Sequence, residues 1–176
     1  MGWYVLSCRP GGEAEVIHAC RQFLSPQAME DVFQFSYERM RKYLGDWHVD
    51  TCPMFPGRVF LQSSCPELLL KELEAARLGE TLETDEGIRK EAGGILLPVK
   101  PEEMRRMQSL CGSAHHMGLS FGNLQEGNFR VMRGPLTGRE GWIRKLDLHK
   151  RIAILNLKLS EEGREIWAGI EIGKNS

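Results

Sequence analysis

Cys111, His115 and His116 fall within one short stretch, and Cys8, Cys52 and His48 supply further thiols and an imidazole. The first group has the donor types of a metal site, and the second those of a nucleophile with its base. Neither has the spacing that such chemistry needs. The five cysteines are odd in number and widely spaced, with no C-x-x-C pair, which argues against a disulfide framework and against a zinc knuckle. Reduced, mostly buried thiols and linker histidines are the expectation. Arg9-Pro10-Gly11-Gly12 precedes a helical pattern and could offer backbone N–H groups to a phosphate. Without a lysine, a hydroxyl pair or an acidic residue at the usual offsets, it reads as a loop. Met104, Met107 and Met117 read as core or linker residues. No catalytic residue, metal or cofactor is assigned, and the chain reads as a non-enzymatic protein. A small thiol or metal enzyme is the alternative, and it would require a reactive cysteine.

Cations offer a different chemistry. Residues 128 to 151 carry seven basic side chains against two acidic ones, 7 − 2 = +5, while residues 67 to 86 carry two against seven, 2 − 7 = −5. The whole chain is near neutral, with a net charge of −1, so the segregation of charge matters more than its sum. Arg133, Arg139, Arg144, Lys145, Lys150 and Arg151 are candidate phosphate contacts, and Arg105 and Arg106 could join them from the preceding helix. A helical RNA would be held through its shape and backbone, with bases read where a loop or bulge opens the groove. The alternative is a solvated charged face.

These side chains need elements to position them. WYVLSC at 3–8 reads as a buried strand, and RPGG supplies its turn. Val16, Ala19, Cys20, Phe23 and Leu24 then recur on one face of a helix that Ser25-Pro26 ends. From 29 to 43 the period changes to two, with Phe33, Phe35 and Tyr37 on one side of an amphipathic strand. Gly45-Asp46 turns the chain, and 48–62 returns as the partner of a long hairpin, with Pro53 and Pro56 on its edge or at a bulge. Ser64-Cys65-Pro66-Glu67 has the spacing of a capping box and opens a second helix to about Leu78. Residues 79–94 read as a polar connection, 95–99 as a strand, and Pro101-Glu102-Glu103 as the start of a third helix. The order β-α-β-β-α-β-α fits an α/β sandwich with a mostly antiparallel sheet.

Residues 109–126 have no sustained period and many small residues, and read as a linker. Beyond them FRVMRGP, GWIRKLDL, RIAILNLKL and EIWAGIEIG are separated by the turn signals TGRE, HK and SEEG, which predicts a small β-barrel of four strands over 127–176. In its corner RGPLTGREG, Gly134-Pro135 and Gly138 allow a tight turn, and Gly141 lets the next strand start close to its neighbour. Ile166, Ala168, Ile170 and Ile172 form the inward face of the last strand. No run of apolar residues is long enough to span a bilayer, and the opening residues lack a secretory layout, so a cytoplasmic protein without membrane contact is expected.

The corner and the strands after it, G-P-L-T-G-R-E-G-W-I followed by K-L-D-L-H-K-R-I-A-I-L, resemble the KOW motif of the NusG family of transcription elongation factors. WYVL at 3–6 and MFPGRVF at 54–60 resemble two blocks of that family's N-terminal domain. The resemblance covers nearly the whole chain in order. It implies an α+β fold: a NusG N-terminal-type α/β sandwich at 1–108, a linker at 109–126, and an SH3-like KOW β-barrel at 127–176. It also implies a monomer that grips the clamp helices of RNA polymerase through Trp3, Tyr4, Phe55, Pro56 and Phe60. Tyr4 and Phe60 fit equally well as core residues. Phe55 and Pro56 are the stronger interface residues, because an FPG edge should leave its aromatic exposed. Arg58 stands where the family usually has tyrosine and makes the patch partly cationic. SCPELLLK at 64–71 lacks the threonine-rich helix start of the RfaH branch. These departures, with the basic barrel, resemble a specialised paralogue of the LoaP type, which implies antitermination on selected operons after recognition of an RNA hairpin in the leader transcript. The barrel could instead recruit a ribosomal protein. A KOW protein bound to ribosomal RNA is the alternative function, against which the acidic 67–86 segment counts. The stretch KLDLHKRIAILNLKL could also form a helix, as RfaH-like barrels do.

Overall fold

The computed structural model describes residues 1–78, 96–159 and 165–173. The connection expected at 79–94, Ile95 and the SEEG turn lie outside the described residues, as do Glu80, Glu83, Asp85 and Glu86 of the acidic stretch. In chain order the elements are β1 (Gly2–Ser7), α1 (Glu13–Phe23), β2 (Asp31–Phe33), β3 (Ser36–Tyr43), β4 (Asp46–Pro53), β5 (Arg58–Ser63), α2 (Pro66–Ala75), β6 (Leu96–Pro98), α3 (Pro101–Cys111), β7 (His116–Met117), β8 (Ser120–Gln125), β9 (Asn128–Arg133), β10 (Ile143–Asp147), β11 (Ile152–Lys158) and β12 (Glu165–Ile172). The fold is α+β. The chain divides into two units, Met1–Gln34 with Phe55–Pro101, and Phe35–Met54 with Glu102–Ser176.

The first unit is built on an antiparallel sheet in the order β2-β5-β1-β6. One face packs on the helices. Leu6, Val32, Val59 and Leu61 from the strands meet Cys20 and Leu24 at the end of α1 and Leu69 and Leu73 of α2. Phe23, expected on that helical face, is instead exposed. The other face carries Trp3, Val5, Phe33 and Phe60, because residues one apart on a strand point to opposite sides. The expected capping box does not form. Cys65 is the N-cap of α2 and caps nothing with its side chain, Pro66 fills the first turn, and the Ser64 hydroxyl donates to Glu30.

Each of the two long strands expected at 29–43 and 48–62 is broken in two. β2 pairs with β5 in the first unit, from Asp31↔Gln62 to Phe33↔Phe60, whereas β3 and β4 form a regular hairpin in the second. The break falls where Met54-Phe55-Pro56-Gly57 leaves the ladder. Pro56 has no N–H to donate, and Gly57 sits at φ 77°, outside any strand geometry.

The second unit contains a five-stranded sheet in the order β10-β11-β12-β8-β9 and a three-stranded sheet in the order β4-β3-β7. The four strands expected after residue 127 form, and Ile152–Lys158 is strand rather than helix. Residues 109–126, read as a linker, instead hold the end of α3, a 3-10 turn at Gly112–Ala114, β7 and β8, which adds a fifth strand parallel to β12. Their small residues serve contact. A Cβ on Gly122 would lie 2.2 Å from the Arg130 carbonyl oxygen, and the buried Ser120 hydroxyl accepts the Leu136 N–H at 3.0 Å. Ile166, Ala168 and Ile170 are buried as their alternation predicts. Gly169 is buried as well, since a Cβ there would stand 2.1 Å from the Glu38 carbonyl oxygen of β3.

Candidate functional site

In the first unit the residues expected to form a polymerase-binding patch separate by sheet face. Trp3 pairs with Gln62 and Phe33 with Phe60, so their side chains share the face turned away from the helices. There the Phe33 ring meets Trp3 edge-on at 5.3 Å and stacks on Phe60 at 5.8 Å, while Phe55 tilts against Phe60 at 5.7 Å. The Trp3 indole N–H donates to Gln62 Oε1 at 3.2 Å. Tyr4 stands on the opposite face, packed with the helix-side core. Arg58, in step with Phe60 and Gln62, belongs to the aromatic face. Phe33 completes this face, though nothing in its spacing singles it out from Phe35 and Tyr37, which share its period.

The premise that the FPG edge leaves its aromatic unpartnered is overturned, because Phe55 is only 5% exposed. Pro56 is exposed and Arg58 half-buried. The loop is held from beneath. The buried carboxylate of Glu13 accepts the Gly57 N–H at 2.6 Å and the Gly11 N–H at 2.8 Å, and the Cys8 N–H donates to the Gly57 carbonyl at 2.9 Å. A Cβ on Gly57 would lie 2.8 Å from the Cys8 carbonyl oxygen. The RPGG loop thus fixes the FPG loop instead of cradling a phosphate.

The candidate RNA-binding cations all lie in the second unit. Arg106 and Arg139 converge on Trp142, their guanidinium carbons 5.9 and 5.6 Å from the indole centroid. Arg106 also pairs with Glu102 at 2.5 Å, and Arg139 donates to the Pro135 carbonyl at 2.9 Å. Arg133 lies over Phe121 at 4.9 Å, on the outer side of β8 and β9. Arg144 pairs with Glu165, and Lys150 lies 3.8 Å from Asp147. Arg151 is half-buried, at φ 54°, with its guanidinium 4.9 Å from the Trp47 centroid. Arg105 and Lys145 are exposed. The set is therefore not one bare patch but several cations oriented by aromatic rings, of which Trp142 was not legible in the sequence. Gly134, at φ 104° with Leu119 and Ser120 backbone atoms within 2.7 Å of where its Cβ would be, makes the corner that brings Arg139 to Trp142. Gly141 has open space around it, so the close approach expected there does not occur.

The thiols and histidines do not assemble into a reactive centre among the described residues. Burial pushes the Cys111 thiol up to about 12 and the Cys20 thiol up to about 11, so both stay protonated at neutral pH. The Cys8 thiol is raised by burial and by the neighbouring Glu13. His48 and Cys52 lie four residues apart along β4, about 13 Å by strand geometry, too far for a nucleophile and base. The expected linker histidines are strand and turn residues: His116 is in β7, parallel to β3, its Nδ1 2.8 Å from the Ser36 hydroxyl, and the His115 ring meets Phe35 edge-on at 5.6 Å. No group of three potential metal ligands occurs among the described residues, and none of their helices is long and apolar enough to cross a membrane.

The chain matches no family model and no curated protein. Among solved structures it is similar to one titled "Domain interaction in Thermotoga maritima NusG", with 15% sequence identity and a TM-score of 0.49 over 96% of this chain and 93% of that one.

Proposed function

We propose that this protein is a transcription elongation factor that binds the clamp helices of RNA polymerase and suppresses pausing and termination on selected operons, after its second unit takes hold of an RNA hairpin in the leader transcript. One observation carries the reading. The two N-terminal blocks that resemble the NusG family, WYVL and FPGRVF, are far apart in sequence yet lie side by side as β1 and β5, with Trp3, Phe55 and Phe60 gathered on the face opposite α1 and α2. Trp3, Phe55 and Phe60 are all buried, so their rings offer a partner a surface only when that face is uncovered. Because Phe55 and Phe60 are buried, the exposed Pro56 and the half-buried Arg58 make the first contact. The rings engage in the fraction of molecules whose face is open, and that fraction scales the apparent affinity. Binding then favours the elongating polymerase only through a higher affinity for that state.

The second unit supports the RNA part of the reading. Guanidinium groups held against Trp142 and Phe121 are preorganised for phosphate oxygens and for unpaired bases. Purified polymerase transcribing through a terminator, with and without a leader RNA hairpin upstream, is the deciding experiment. Readthrough should rise with the protein, further with the hairpin, and fall for Arg58→Glu. Absence of polymerase binding and unchanged readthrough would overturn the proposal.

A further inference from the structure

β4 is an outer strand: β3 pairs along one side, and no strand of the described residues pairs along the other. Leu44 and Gly45, at φ 50° and 90°, form the two-residue turn typical of tight hairpins, so Tyr43 and Asp46 are its first hydrogen-bonded pair. The Met54 N–H donating to the Phe35 carbonyl at 2.8 Å falls on the same alternation. Asp46, His48, Asp50 and Cys52 therefore direct their backbone groups to β3. Trp47, Val49 and Thr51 turn theirs outward. The protection of this edge is slight: the register with β3 runs without a bulge, the strand's charges are Asp46 and Asp50 with no lysine, and its one proline, Pro53, stands at the end. The side chains there are exposed too, Val49 by 53% and Trp47 by 37%.

We propose that this edge pairs with the same edge of a second copy of the chain, antiparallel about a two-fold axis at Val49. Outward-facing residues must oppose outward-facing residues, which leaves three registers that use the middle of the strand. Pairing Trp47 with Val49 of the second copy sets Asp46 opposite the other Asp50. Pairing Val49 with Thr51 sets Asp50 opposite Asp50. Only the register with Val49 opposite itself avoids like charges, since it sets His48 opposite Asp50 on both sides of the axis and Trp47 opposite Thr51. It runs from Asp46 to Cys52, as long a span as the Val49–Thr51 register, which would run onto Pro53 with no N–H to donate. On the same face of each copy, Arg41 pairs with Asp50 at 3.1 Å and Tyr43 meets His48 edge-on, so the cross-axis pair extends an existing row. The result is one continuous six-stranded sheet. Such a contact is small and belongs with weak, concentration-dependent associations.

Sedimentation of the full chain from about 10 µM to about 1 mM tests this. The wild-type mass should climb from one chain toward two. Thr51→Pro removes an outward N–H and none of the hairpin's own bonds, and Val49→Lys opposes a charge to its own copy; each should weaken association at least tenfold. Leu44→Asn, which suits the turn better, should leave it unchanged. Independently of any variant, amide exchange at Trp47, Val49 and Thr51 should slow as protein concentration rises, while Asp46, His48 and Asp50 remain slow throughout. A single-chain mass at every concentration overturns the proposal, as does wild-type association in both edge variants. It is equally overturned if those three amides become protected only when RNA polymerase or RNA is added, for the edge then serves another partner.

Discussion

The Glu13 carboxylate does the work of two backbone acceptors, holding the Gly11 and Gly57 amides while itself buried. Hydrogen bonds to a charged acceptor are worth more than neutral ones, and their loss leaves buried N–H groups unsatisfied. Glu13→Ala should therefore lower stability by about 2 kcal/mol, read from the urea midpoint at unchanged slope. The sequence marks Glu13 only as an acidic residue in a first helical turn, so its second partner, Gly57, could not have been guessed. The buried thiols give a pH prediction. Cys20 and Cys111 keep their protons to about 11 and about 12, against an ordinary value of 9.0. Between those limits the unfolded chain has lost protons that the folded one retains, so stability falls as pH rises above about 9. Urea midpoints measured from pH 8 to pH 11 should decline less steeply for Cys111→Ala than for the wild type. At the acid end, the Glu72 carboxylate is held below its ordinary range chiefly by the Ser25 N–H, then by the Ser25 hydroxyl. Its contribution is complete above the ordinary value of 4.5 and is lost as pH falls from there through the lowered folded-state value, so Glu72→Gln should flatten the acid limb of the same titration.

At the scale of elements, strand contacts depend on where a Cβ can be tolerated. β12 crosses β3 at Gly169, and β8 lies against β9 at Gly122; in both places an added Cβ would meet a backbone carbonyl oxygen at under 2.3 Å. Neither neighbour can yield as a flexible side chain would. Gly169→Ala and Gly122→Ala should each cost about 3 kcal/mol by thermal or urea unfolding, whereas Gly141→Ala, in open space at ordinary φ, should stay within about 0.5 kcal/mol. The glycines in the RGPLTGREG corner look alike in sequence, and only their surroundings separate them. Alternation was legible in part: it picked out Ile166, Ala168 and Ile170 of β12 and Tyr37 of β3 as buried, but Ile172 is only half-buried and Gly169 is buried against expectation. The break between β2 and β3 was not, because Phe33, Phe35 and Tyr37 continue one period across it. All three are buried, in strands or a junction that belong to different sheets.

For the whole molecule, the placement of the cations decides which of them bear on RNA. Arg105→Ala and Lys145→Ala remove exposed charges and should each weaken binding to an RNA hairpin and lower its salt dependence by about one phosphate contact. Arg151→Ala removes a group already engaged with Trp47 and the Ile172 carbonyl, and should appear instead as a stability loss of about 1 kcal/mol. Titrations of hairpin affinity against salt, set beside unfolding curves, separate the two effects. By itself the sequence determined the strands and helices with strong period, the sharp corner at Gly134, and the segregation of positive charge into the C-terminal part, because periodicity, turn chemistry and charge are local properties of the chain. Tertiary structure alone decided that Phe55 is buried, that Tyr4 faces the helices, that 120–125 is a strand and that Trp142 orients two arginines. Each of those depends on a neighbour distant in sequence, and neither composition nor spacing encodes which distant residue will arrive.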